Sequence, residues 1–568
     1  MKKRGIVLIV SLMVLAVVLI LTSVYFSGLI SEQRSADVEK YSMQALELAE
    51  AGSSHAVSEL RNRVRTDLYT NVNNVTQSAT LANYYSIDDA LGFLHDYAFP
   101  DSSPPQWDAA KATLAITPLN LNTAVQGSYN ADLIFTQNGA VTNPSPDVYV
   151  FPYTYIIEAT GTVTSITPSL QRSVRLTQGT FSITVRRDNF AKYALFTSHH
   201  RAPGGTTVWF TDTTNFNGPV STNERFSFAL NPSAHFTEQV SQHEKKARFY
   251  NNGSSILLND DKNGIKDVPI FDKGFTRDAG IVNLTSSVSQ ADLKNEALGG
   301  DPDPGSNGIY IANDGTNVTG GIFIRSNASN ISLTMSVDAG DDNIAVYNIS
   351  QGVTSKVISV DFVNNTTTVT GTGSPQVFSG IPDGTKDEGV LIYANNDIVN
   401  FSGIVQKDSN MTVASERDIV ITNNVEYSQF NSGAIPNALG YNNILGILSW
   451  GGDVRIGTSA PNNVDIHGIV MAPHGVFTVD NYTAGSPRGT ATLLGGVITD
   501  FYGPFGTFSG GVPVSGYGRN FVYDSRVLNG MTPPYFPYLS NFTSSISDSD
   551  GDGVDDLGNI LIWQDRGL

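Results

Sequence analysis

The chain has 568 residues, 53 glycines, 25 prolines, no cysteine and a formal charge of −19. That length exceeds one compact core and implies two to four structural units, unless a repeat architecture stretches a single one. The missing cysteines exclude disulfides, thiolate metal sites and thiol nucleophiles. The acidic excess disfavours nucleic acid as a partner, because neutralising phosphates needs basic patches, and favours divalent cations. Only 15% of residues are charged while 10% are aromatic, a balance that suits a folded, turn-rich protein of short strands.

Lys2, Lys3 and Arg4 precede Gly5, and an apolar run from Ile6 to Ile30 then holds no charged side chain. At ~1.5 Å of rise per residue, such a helix crosses a hydrocarbon core of roughly 30 Å. The basic leader, set against the mixed charges Glu32, Arg34, Asp37, Glu39 and Lys40, favours a cytoplasmic N-terminus and an exported remainder. A cleaved signal peptide is the competing reading. Its apolar core is ordinarily ~7–15 residues and closes on a small-residue site, whereas this run is longer and no Ala-x-Ala closes it. Beyond the run, Val38, Tyr41, Ala45, Leu48, Ala49, Val57, Leu60, Val64 and Leu68 continue at helical spacing, which predicts one helix from Ile6 to about Leu68.

The segments Arg4-Gly5-Ile6-Val7-Leu8-Ile9-Val10-Ser11-Leu12 and Gln44-Ala45-Leu46-Glu47-Leu48-Ala49-Glu50-Ala51-Gly52 resemble the two ends of the PilX-type minor pilin N-terminal region. The resemblance covers roughly the first 65 residues. It implies that a prepilin peptidase cuts between Gly5 and Ile6 and methylates the new N-terminus. Major pilins carry Glu as the fifth residue after the cut, where it is thought to pair with a neighbouring subunit's N-terminal amine. Here that residue is Val10, which suits a minor or tip-located component over a repeating shaft subunit.

After a short helical stretch around Ile87–Tyr97 and a proline-containing loop at Pro100–Pro105, alternation at period two marks strands at Ala131–Thr136, Val148–Glu158, Ser173–Thr177 and Thr180–Arg186. These predict a small antiparallel unit, with Tyr153–Thr162 and Phe181–Arg187 as hairpin partners. From Phe190 to about Gly300 the pattern is irregular. Thr206–Phe210 and Phe226–Leu230 read as strands, and Gln239–Ala247 as a short polar helix or exposed loop.

From Gly308 the rhythm changes to short β runs such as Gly308–Asn313, Gly389–Asn395 and Leu445–Trp450, with others opening at Asp397, Asp418 and Asp453. Units of about 20 residues rich in Asn, Gly and β-branched side chains predict a right-handed parallel β-helix over about residues 305–510. A β-sandwich is the alternative, and Asp314-Gly315 and Asp383-Gly384 supply two of the hairpin turns it needs. The aromatic and proline-rich run through Pro533-Pro534-Tyr535-Phe536-Pro537 is expected to cap the open end of the solenoid.

The sharpest chemical motif is Asp548-Ser549-Asp550-Gly551-Asp552-Gly553-Val554-Asp555-Asp556. Alternating carboxylates around a turn-forming glycine place hard oxygens about one point, as Ca²⁺ requires. The loop resembles the calcium loops of thrombospondin type 3 and dockerin repeats. That match implies Asp548, Asp550, Asp552, the carbonyl of Val554 and Asp556 as ligands, although the twelfth position is Asn559 and not a bidentate Glu. Asn259–Asp267 is a weaker echo.

His199 and His200 splay apart if they lie on a strand. Pairings of His467 with Asp465 or of His474 with Asp480 are open to metal binding or base catalysis, but serve equally as turn polarity. Asp397, Asp418 and Asp453 stack either as a catalytic row or as side chains bonding the backbone of adjacent coils. No nucleophile elbow, zincin or phosphate-loop motif is present.

The fold expected is mainly β with a long N-terminal α-helix, a small antiparallel β unit and then a parallel β-helix-like solenoid in the C-terminal half. Its parts are leader, transmembrane segment and amphipathic helix (1–70), α+β unit (71–190), irregular β-rich connector (191–304), solenoid with capping region (305–530) and a Pro/aromatic tail with the calcium loop (531–568). The function expected is a non-enzymatic minor pilin or pseudopilin, single-pass in the inner membrane. Its expected partners are other pilin subunits, prepilin peptidase and surface glycans. A membrane-anchored β-helix acting on polysaccharide is the alternative.

Overall fold

In the computed structural model, the residues described are 2–75, 78–101, 112–119, 127–145, 148–164, 169–187, 189–211, 214–229, 234–251, 254–259, 269–284, 289–386, 388–428, 442–509, 512–539, 542–548, 555–557 and 560–566. The chain is mainly β with a long N-terminal helix and forms two compact units. One comprises Met1–Arg186 with Asn541–Leu568, and the other is Arg187–Ser540.

In the first unit, α1 (Lys2–Asn62) runs for 61 residues, roughly 92 Å. It passes through one π turn (Arg63–Asp67) into α2 (Leu68–Asn73), so helical backbone continues a turn beyond the expected end near Leu68. Two further helices follow, α3 (Ser78–Ser86) and α4 (Ala90–Ala98). The latter is N-capped by the Asp89 carboxylate, which accepts from Gly92 N–H at 2.7 Å.

Five strands complete the sequence-continuous part: β1 (Ala112–Ile116), β2 (Gly127–Gln137), β3 (Thr142–Ser145), β4 (Val148–Val163) and β5 (Leu170–Arg186). They pair antiparallel, with Tyr153 opposite Phe181 as the predicted hairpin requires. β4 alternates buried and half-buried residues without a break along its length. That regularity seats Phe151, Tyr153, Tyr155 and Ile157 on the helix side. Thr543–Ile546 and Ile560–Arg566 return to pair antiparallel with β5.

The second half of α1 lies on this sheet through small residues. Ala45, Ala49 and Ala56 are fully buried, and Gly52 packs on the Tyr129 ring. Their spacing of three or four places them on one helix face. Across from them stand Gly127, Ala131, Ala159 and Gly161, so backbone approaches backbone.

The second unit is built on parallel pairing. One ladder runs through Val318–Arg325, Val390–Ala394, Asn410–Ser415, Ile444–Ser449, Val464–Ala472 and Pro487–Phe501. It then continues through Leu195–His199, Val220–Thr222, Val240–Gln242 and Phe275–Thr276. A single aligned column therefore contains Ile322, Ile392, Val413, Ile447, Val470, Val497, Leu195, Val220 and Val240, all buried. Stacked β-branched and aliphatic side chains of this kind are the main driving force of a parallel ladder closed on both faces.

The order of strands along the ladder is not their order in the chain. Leu195–His199 docks on Pro487–Phe501, so the earliest strand of the unit meets one of the latest. The segment 191–304 thus supplies four rungs. Val240–Gln242 is one of them and not a polar helix or exposed loop, because Val240 belongs to the buried column. Of the two strands read from the sequence here, only Ser227–Phe228 forms one. Phe210 meets Phe228 through a single parallel bridge.

A second parallel ladder aligns Ile331, Ile398, Ile419, Val454 and Phe477. A third runs through Val425, Ile466, Leu493 and Phe521. Antiparallel hairpins branch from Ile331–Val337 through Ile344–Gln351, Thr354–Asp361, Thr366–Thr370 and Gln376–Ser379.

The outer side of the first ladder is covered. Helix α5 (Gln290–Leu298), closed by a Ser289–Asp292 capping box, lies against Gly320 and Gly321. The run Pro533–Pro537, expected at an open end, instead lies along the flank. Pro534 abuts Gly389, Pro533 and Phe536 abut Gly446, and Thr412 donates to the Pro534 carbonyl. Glycine is needed at 389 and 446 because this backbone-hugging run leaves no room for a side chain.

Candidate functional site

The first functional element is the free half of α1. From Ile6 to Ile30 its large apolar side chains are exposed on every face, Ile6 at 64% and Val10 at 53%. Among the described residues this is one helix long and apolar enough to cross a membrane. Gly5 and Ile6, the predicted processing pair, both fall within helical backbone.

The second element is the C-terminal end of the first unit. Asp548 and Asp556 are described, whereas Asp550, Asp552 and Val554 lie outside the described residues, as does the Asp260–Asp267 part of the weaker echo. The flanks of the loop are fixed. Ser547 Oγ donates to the Asp556 carboxylate, and Asp556 N–H donates to the Ser547 carbonyl at 2.8 Å. Arg65 Nε on the π turn donates to Asp555 at 2.8 Å, Arg61 Nε donates to the Leu557 carbonyl at 3.0 Å, and Leu557 is buried in the core. No group of three or more His, Asp or Glu close enough to hold a metal occurs among the described residues.

The third element is the aspartate row. Asp397 accepts the backbone N–H of Asp418 at 3.0 Å, Asp418 accepts that of Asp453 at 2.8 Å, and Asp453 accepts that of Val476 at 2.9 Å. Each carboxylate therefore pins the next coil at the same corner. Arg455 bridges Asp418 and Asp480, each at 2.8 Å. Burial raises the pKa of Asp453, opposed by its bond from Val476 and reinforced by Asp418. The 21-residue offset between Asp397 and Asp418 was the signal in the sequence. The direction of the bonds was not readable there.

The histidines separate by environment. His467 accepts the Tyr427 N–H at 3.0 Å through Nδ1, and burial lowers its pKa to about 4. Asp480 is bonded to Arg455 at 2.8 Å. His235 meets Asp272 at 2.7 Å on the surface. His199 and His200 do face opposite ways: His199 Nδ1 lies 2.9 Å from Asp500 and its ring stacks on Phe501, while His200 is buried among Phe210, Phe226 and Tyr502. The phenylalanine cluster around it, which includes Phe216, Phe228, Phe236 and Phe249, lies in the segment whose sequence pattern looked irregular.

The family model of a domain of unknown function, DUF4900, matches residues 148–243. The match spans β4 and β5 of the first unit and the first three rungs of the second. No curated protein and no solved structure matches the chain.

Proposed function

We propose that this chain is a minor-pilin-like component of a type IV pilus or a related secretion machine. In this reading it is anchored once in the inner membrane with its N-terminus inside, and it displays both β-rich units outside for adhesion or assembly. The observation that carries it is the division of α1. A half that is apolar on all sides belongs in lipid or among like helices, and a half seated through Ala45, Ala49, Gly52 and Ala56 ties that anchor rigidly to the exported fold. The basic leader supports the orientation, and the Gly5–Ile6 junction supports processing by a prepilin peptidase. Val10 supports a minor or tip position.

The three parallel ladders support a β-helix-like solenoid as the displayed body, with surface glycans as ligands. Because the carboxylates of Asp397, Asp418 and Asp453 are occupied by backbone amides, the role is binding and not catalysis. Ca²⁺ held by Asp548, Asp550, Asp552, Val554 and Asp556 steadies the end of the first unit. Calorimetry should give a higher melting temperature with Ca²⁺ than with a chelator, and identical melting removes this part of the proposal.

Mass spectrometry of the mature protein should find an N-terminus at Ile6, and Gly5→Ala should abolish that cut and surface display. An intact initiator end on the displayed wild-type protein would overturn the assignment. The alternative, an anchored β-helix that cleaves polysaccharide, draws on Arg455 set between Asp418 and Asp480. It predicts unaffected anchoring in Gly5→Ala and measurable glycan cleavage.

A further inference from the structure

The docking of Leu195–His199 on Pro487–Phe501 is a seam between rungs that are some 300 residues apart in the chain. Val220–Thr222, Val240–Gln242 and Phe275–Thr276 follow it in succession along the ladder. His200 lies at its edge, 2% exposed, with ring centroids of Phe210, Phe226 and Tyr502 at 4.6, 4.7 and 5.1 Å. Its Nδ1 is 3.5 Å from Thr197 Oγ1, and its Nε2 has no hydrogen-bond partner among the described residues. Thr499 Oγ1, aligned with Thr197 across the seam, is likewise buried without one.

The groups facing this site do not accommodate a cation. Arg519, stacked on Tyr502 and Phe505 and donating to the Tyr502 hydroxyl, opposes a second positive charge. The neighbouring carboxylates are engaged: Asp500 with His199, and Glu224 with Arg201 at 3.3 Å. The aromatic faces offset only part of the cost by cation–π attraction, which is weaker than the penalty of burying an unpaired ion. His467, the other deeply buried histidine among the described residues, is also held low by burial, to about 4, although Asp524 favours its protonated form, so acid loosens its own rung Val464–Ala472 and the neighbouring Tyr427 as well.

We propose that the seam is an acid-labile joint, in which protonation of His200 releases rungs 195–276 from Pro487–Phe501 while the rungs Val318–Arg325 and Val390–Ala394, remote from both buried histidines, stay paired. Burial lowers the His200 pKa to about 3, against about 6.5 for an exposed imidazole. A histidine held neutral by folding contributes its full stability above the unfolded value and loses it as pH falls below about 6.5, tenfold in the opening equilibrium per unit.

Hydrogen exchange on the full chain at pH 7.5 and pH 4.5, corrected for intrinsic rates, tests this. Opening at 195–199 and 220–222 should rise about a hundredfold at the lower pH, with 322–324 and 390–394 little changed. His200→Phe, which keeps the aromatic cage without a titrating group, should abolish the rise. Equal acid response in wild type and His200→Phe, or a rise spread evenly over all rungs, would refute the joint. If His200→Phe does not fold, the imidazole titration of wild-type His200 followed by NMR decides: an ordinary pKa near 6.5 in the folded chain overturns the proposal.

Discussion

Gly161 in β4 is a point where the anchor helix presses directly on the sheet backbone. A Cβ there would run into the Ala45 carbonyl oxygen and stand 2.7 Å from Ala49 N and 2.8 Å from Leu48 Cβ, all well inside the ~3.5–4.0 Å of ordinary carbon contact. Backbone atoms cannot rotate away, so Gly161→Ala must lift α1 from its seat by about 1 Å. Overpacking of this kind costs ~1–3 kcal/mol, and replacing glycine returns ~0.5–1 kcal/mol of chain entropy. The net loss of about 1–2 kcal/mol is a factor of roughly 5–30 in the opening equilibrium. Hydrogen exchange of amides 45–60 on the detergent-solubilised chain should speed by that factor, while Gly28→Ala, where nothing lies within 4 Å, should leave the same amides untouched. Unchanged protection in Gly161→Ala would refute the close-packed seat and with it the rigid coupling of anchor to exported fold.

In the aspartate row, Asp418→Ala strips the Asp453 N–H of its acceptor and should cost about 1–3 kcal/mol. Asp418→Asn keeps an acceptor oxygen, so its urea midpoint should stay much closer to wild type. Asp453 carries a raised pKa, which means folding penalises its charged form. Asp453→Asn should therefore raise stability at pH 7, and the gain should vanish as pH falls through the raised pKa into the range where Asp453 is already protonated; a gain that persists in acid argues against burial as the cause. Finally, the second unit is entered and left at paired positions, Asn189 opposite Tyr538 with Phe190 N–H donating to Pro537 at 3.0 Å. A chain of Arg187–Ser540 alone should then unfold cooperatively, and a broad, molten transition would contradict two separate units.

Periodicity made α1 and the antiparallel sheet readable because each has one dominant repeat: Val38 to Leu68 at helical spacing and the strict alternation of Val148–Val163. The limits of that reading were also physical. The hydrophobic pattern carries straight through Arg63–Asp67, so a π turn leaves no trace in it. Parallel rungs buried on both faces, such as Val390–Ala394 and Ile444–Ser449, show no alternation at all, and only their recurrence with Asp at the corner exposed them. Rungs of two or three residues, such as Val240–Gln242 and Phe275–Thr276, fall below any window, and their partners, each other and Val220–Thr222, are just as short.

Long-range pairing explains what the sequence hid about the site. A neutral histidine among phenylalanines looks like turn polarity until Leu195–His199 is placed on Pro487–Phe501, when His200 becomes a titratable group inside a hydrophobic seam. Local stability in a stack follows nearest-neighbour contacts, so one weak interface sets how far the arm beyond it can separate while the rest persists. Here a buried imidazole whose Nε2 has no partner among the described residues sits at an interface between segments far apart in the chain, and that coincidence is why acid should loosen the second unit there.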